Sequence, residues 1–163
     1  MTSKKLICSL RQATPLDEPL ILSSWLKSAY NLCPAFKDMP KSLYFGLHEP
    51  AVKLSLATSD TLLAVDSEDP THILGYLVYK NYPFFSVIHY IYVKQQFRGF
   101  KIAAHLLEEA DLRQYIFTSH ETLDSQRFFN SKQLPTFHVP HFRHGEWHEA
   151  QVNLFLSSRQ SRP

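Results

Sequence analysis

The sequence predicts a mixed α/β (α+β) domain in which helices flank a mostly antiparallel central sheet. Three observations point there. Apolar residues recur at helical intervals before residue 60 and in strand-like runs after it. Three successive strand-like runs are joined by connections short enough for a meander. An alanine-, leucine- and glutamate-rich stretch of strong helix propensity, Ile102–Ala110, follows the most β-branched and aromatic of those runs. A chain of 163 residues fits a single domain, 1–163, which at this size buries roughly 70% of its unfolded surface and needs no covalent or metal staple.

The elements follow in order. Leu6–Leu10 reads as a short strand. Thr14 or Asp17 can cap a helix that begins around residues 15–18 and runs to about Tyr30. Its apolar positions Leu20, Ile21, Trp25, Leu26 and Tyr30 give one face to bury. A second helix fits Lys41–Leu56, with Pro50 expected to interrupt or end its first half. Thr61–Val65 and Ile73–Tyr79, joined by the turn-rich Asp66–Pro70, form an antiparallel hairpin, and Ser86–Val93 adds a central strand. A polar loop, Lys94–Gly99, leads into the Ile102–Ala110 helix. A strand at Gln114–Thr118, a short helix at Leu123–Ser131 and a final hairpin complete the order. That hairpin pairs Phe137–Phe142 with Trp147–Leu156, turning at His144-Gly145, and the polar tail 157–163 is expected to fray.

Composition excludes several classes. A net charge of +2 with both signs interspersed lacks the basic footprint of sequence-independent nucleic-acid binding. Cys8 and Cys33 form no ligand pair or disulfide framework, which suggests a reducing, cytoplasmic setting. No apolar run reaches the ~18 residues of a membrane span, and the opening segment is too short for a signal-peptide core. His138, His141, His144 and His148 raise the question of a metal, but on extended strands their side chains alternate faces and do not converge. No metal site is expected.

The chemistry concentrates between Val93 and Ala110. At a helix start the first amides lack internal partners and the dipole is positive, so a loop-to-helix junction after a central strand suits a phosphate. Lys94, Arg98 and Lys101 would reinforce it; the bland alternative is a set of solvated cations on an exposed loop. His89 is a candidate base, since imidazole titrates near neutrality and the two-residue period puts it on the face of Ile91 and Val93. The competing reading is a core histidine satisfied by a neighbour. Tyr92, with Tyr90 and Tyr115 behind it, is a candidate acid, and Glu49 beside His48 a second candidate base; packing aromatics and a solvated carboxylate are the alternatives.

The run from Ile91 to Ala103, followed by Ala104–Leu107, resembles the R/Q-x-x-G-x-G/A loop of the GCN5-related N-acetyltransferase (GNAT) superfamily, which follows a strand ending hydrophobic-x-Val. Leu10–Asp17 is similar to that superfamily's first strand and helix start, Leu74-Gly75-Tyr76 to its hairpin, and Arg127–Lys132 to its late R-F-Y-x-K helix. Phage-encoded acetyltransferase-like proteins carry a similar Val-Lys-x-x-Phe-Arg-Gly run, which would mean a host cytoplasm. The resemblance implies a GNAT-like sheet splayed between its fourth and fifth strands, with acetyl-CoA as co-substrate in the opening. Ile91 and Val93 would offer backbone groups to the pantetheine arm; Arg98, Gly99, Phe100, Lys101, Ile102 and Ala103 would surround the diphosphate. The acyl group would pass directly to an amine of unidentified identity, in a monomer or homodimer that touches no membrane.

Two departures bear on activity. Lys101 replaces a motif glycine, and Phe129 stands where the family often has a tyrosine acid. They keep open a catalytically inactive scaffold or binding protein, and the histidine and aromatic clusters keep open a relative that modifies nucleotides or nucleic acid.

Overall fold

In the computed structural model, which describes residues 8–140, six strands form one sheet in the sequential order β1 to β6. They are β1 (Cys8–Gln12), β2 (Asp60–Asp66), β3 (Ile73–Asn81), β4 (Phe85–Val93), β5 (Tyr115–Thr118) and β6 (Thr136–His138). The first four are antiparallel neighbours; β5 runs parallel to β4, and β6 parallel to β5. The helices are α1 (Glu18–Leu32), α2 (Lys41–Thr58), α3 (Ile102–Glu109) and α4 (Leu123–Ser131). The predicted mixed, mostly antiparallel architecture is the one observed.

Both faces of the sheet are covered, which explains why β2 and β3 read as continuous apolar runs. On one face Ile21, Trp25 and Ala29 of α1 with Tyr44 and Val52 of α2 pack on Leu63, Tyr76 and Val78. On the other, Ile102 and Leu106 of α3 and Phe129 of α4 pack on Leu62, Leu74, Leu77 and Ile88. Each such large apolar side chain contributes on the order of 1.5–3 kcal/mol on burial.

Four expectations need correction. Helix α1 buries Ile21, Trp25, Leu26 and Ala29, while Leu20 is 42% exposed; the buried stripe centres on the Ile21, Trp25, Ala29 series, and Leu20 sits about 100° around the helix from Ile21. Helix α2 runs unbroken through Pro50. The proline forfeits one backbone bond, but Tyr44 ahead of it and Val52 and Ser55 behind it are buried and hold the two halves on one axis. The first strand continues to Gln12, paired with Leu62. The last described strand, Thr136–His138, is parallel to β5. The rest of the proposed hairpin, with His141, His144, His148 and the tail, lies outside the described residues, as do Leu6 and Ile7.

Candidate active site

Strands β4 and β5 pair only from Phe85↔Tyr115 to Ile88↔Thr118. The Ser119 amide makes one further bond, donating to the Ile88 carbonyl at 3.1 Å. Beyond it β4 continues as His89–Val93 with no β5 residue beside it, so the sheet forks. Next to the fork β4 carries a β-bulge: Val78 faces Tyr90 and Tyr79 faces Ile88, leaving His89 as the extra residue. The bulge resets the alternation of the strand. The Lys94 amide donates to Leu74 of β3, and counting back by two turns the backbone groups of Ile91 and Val93 toward the open side of the fork.

That opening is a cleft of about 420 Å³, within the range of small-molecule sites. The end of β4 beyond the fork, Tyr90–Val93, forms one wall. The floor is the loop and first turn of α3, with Phe97, Arg98, Gly99, Lys101, Ile102 and Ala103. The far wall is the start of α4, where Thr122 and Ser125 exchange side-chain and backbone hydrogen bonds in a capping box. Lys132 closes the same side. Among the described residues that line the cleft, three cations, Arg98, Lys101 and Lys132, thus face one carboxylate, Asp124. The charge and the two helix starts favour an anionic ligand.

Local backbone geometry shapes the floor. Gly99 has φ +89°, a conformation that costs glycine nothing. Lys101, at the start of α3, has φ +61° and ψ +19°, the left-handed region in which a side chain is strained. Gln133, just past α4, is left-handed too, at φ +53°. Arg98 spans the fork: its Nε donates to the Val93 carbonyl at 3.2 Å, and a terminal nitrogen donates to Asp124 at 2.9 Å.

Of the residues singled out from sequence, the fold brings Ile91, Tyr92, Val93, Arg98, Gly99, Lys101, Ile102 and Ala103 to the cleft. Phe100 is half exposed and is not among the lining residues, and neither is His89. His89 stands behind the vertex, 7% exposed, with Nδ1 2.8 Å from Ser119 Oγ. Burial, with a smaller contribution from Lys80, pulls its pKa down to about 4, so the ring is neutral near pH 7. Phe129 is a packed core residue, 2% exposed. Sequence reasoning missed Asp124, Thr122, Ser125 and Lys132. The Thr122-x-x-Ser125 cap was the available signal, since it marks a second helix start near the first.

No protein-family profile and no curated protein matches the sequence. Solved structures do match in shape. A candidate acetyl transferase from Pyrococcus furiosus aligns over 96% of this chain and 94% of its own, with TM-score 0.53 and 11% identity. A ribosomal-protein-alanine N-acetyltransferase from Brucella melitensis covers 77% of this chain and 90% of its own, with TM-score 0.51 and 14% identity. A GCN5-related glucosamine N-acetyltransferase region in a fungal multi-domain β-N-acetylglucosaminidase covers 78% of this chain and 17% of that one, with TM-score 0.55 and 15% identity. The chain has the GNAT fold. The forked pair is β4 and β5, as the resemblance implied, and Gly75 fits closely between β3 and β4: a Cβ there would meet the Tyr92 carbonyl oxygen at 2.6 Å.

Proposed function

We propose that the protein is an N-acyltransferase that moves an acetyl group from acetyl-CoA to an amine. The observation that carries this is the forked sheet with a cation-lined cleft on the free edge of β4. The donor set fits the cofactor: exposed backbone at Ile91 and Val93 suits an amide-bearing arm, and Arg98, Lys101 and Lys132 with the α3 amides suit a diphosphate. Acetyl-CoA supplies a thioester carbonyl for attack by the neutral amine.

The chain's own residues hold the reactants and manage one proton. Most of the acceleration comes from placing amine and thioester together. Phe129 has no proton to give and is sealed in the core, so the acid is Tyr92, which lines both the cleft and the neighbouring groove along α1. His89, outside the lining, acts as a positioning residue through its bond to Ser119 at the vertex.

Calorimetric titration with acetyl-CoA is the test. Saturable binding that weakens at least tenfold in Arg98→Ala is expected, and Tyr92→Phe should lower kcat with little change in acetyl-CoA affinity. One observation favours an inactive binding protein instead: Arg98 is already engaged by Asp124. No heat and no thermal stabilisation at millimolar acetyl-CoA would decide for that reading.

A further inference from the structure

A second, open groove runs along α1. Tyr92 lines both spaces, so an acceptor lying in the groove would meet the donor at that residue. Ser24 and Ser28 are spent on the sheet, bonded to the Tyr76 and Tyr90 hydroxyls at 2.9 and 2.6 Å. The groups left to meet a ligand are Ser23, Asn31 and Lys27, with Pro19 and Leu20 forming an apolar end. Among the described residues that line it there is no carboxylate and one cation. A polycationic amine would find a positive charge and no counter-charge there, whereas a carboxylate would find both an ammonium and hydrogen-bond donors.

From this we infer that the acceptor is a small amine that carries a carboxylate, of the amino-acid class, with the carboxylate directed to Lys27 and any apolar side chain to Pro19 and Leu20. The inference rests on the acyl-transfer reading. In the reaction the ammonium loses one proton to solvent, and the neutral nitrogen forms a C–N bond to the acetyl carbon. The C–S bond breaks with its electron pair on sulfur, and the second amine proton balances the thiol, giving the N-acetyl amino acid and free CoA.

The test compares the standard L-amino acids, their amides and spermidine as acceptors in the wild-type protein and in Lys27→Glu. It also includes calorimetry of the best amino acid in the presence of CoA. At least one amino acid is expected to be acetylated about tenfold more efficiently than its amide. Lys27→Glu should raise the KM for that amino acid about tenfold, reverse the preference toward the amide and weaken the calorimetric affinity, leaving acetyl-CoA binding unchanged. The inference is overturned if spermidine or the amides are the better acceptors, if no amino acid is acetylated although acetyl-CoA binds, or if Lys27→Glu changes nothing. Absence of acetyl-CoA binding itself overturns the acyl-transfer reading, and this inference with it.

Discussion

Lys101 is the residue on which geometry and function make opposite demands, and Lys101→Gly separates them. A non-glycine residue in the left-handed region costs roughly 1–2 kcal/mol, and Lys101 sits there at φ +61° without capping the helix it begins. Glycine removes that strain but adds unfolded-state freedom worth about 0.5–1 kcal/mol. The net expectation is a gain of about 0.5–1 kcal/mol, or roughly 1–4 °C in Tm for a chain of this size. Lys101→Ala keeps the strain and serves as the control; it should show no gain. Function moves the other way. Lys101 lines the cleft beside Arg98, so losing its charge should weaken acetyl-CoA about three- to tenfold, the modest end of a charged contact because the lysine is solvent-exposed. Urea titrations and calorimetry on the three proteins measure both effects. Loss of stability in the glycine variant would refute the strain argument, and tighter acetyl-CoA binding would show that the lysine obstructs the site.

Asp124→Asn releases Arg98 from its 2.9 Å partner and should tighten acetyl-CoA several-fold by calorimetry; since both side chains are more than a third exposed, stability should move by less than about 0.5 kcal/mol. Gly75→Ala drives a Cβ to 2.6 Å from the Tyr92 carbonyl oxygen, a backbone atom that cannot swing aside, so urea denaturation should show a loss of about 1–3 kcal/mol. Stability should also fall with acidity in two windows. His89 has a folded pKa of about 4 against a usual 6.5, so the unfolded chain binds the extra proton between those values and roughly 3 kcal/mol is lost as pH drops from 7 to 4. Asp17, held at about 2 chiefly by its hydrogen bond from Arg11, contributes stability that persists above about 4 and disappears between about 4 and 2. A His89→Asn variant should flatten the upper window alone.

The strands and helices were legible because their periods and caps are local properties. Ile73–Tyr79 and Leu123–Ser131 lie within elements close to those expected, and the Gly99 loop marked the cleft floor. What stayed hidden depends on partners distant in sequence. Pro50 is tolerated because Tyr44 and Val52, on either side of it, anchor α2 in the core, Tyr44 also donating to the Leu26 carbonyl of α1, a tertiary effect that outweighs propensity. Asp124 is a first-turn carboxylate of α4 that nothing local singles out; its importance comes from Arg98, which the fork brings across from the α3 loop. His89 was misplaced for a different reason. Alternation is a sound guide only while every residue of a strand is paired one to one, and the extra residue opposite Val78 and Tyr79 breaks the count.

The same bulge explains why the sheet forks where it does. Strand β5 supplies backbone partners only as far as Thr118, with the Ser119 amide as the last rung. From there the connection between the strands passes to side chains: Ser119 Oγ lies 2.8 Å from His89 Nδ1 and 3.0 Å from His120 Nδ1. His120 in turn packs edge-on against Trp25, which stacks on Tyr90 at 4.9 Å. A buried polar group must keep a partner, so these residues fix the vertex while Thr122 begins α4 and carries the chain away. The free edge of β4 is therefore a consequence of a short strand, one extra residue and a hydrogen-bonded pivot, and Ser119→Ala, which alters no residue lining the cleft, should speed hydrogen exchange across the Ile91–Val93 segment.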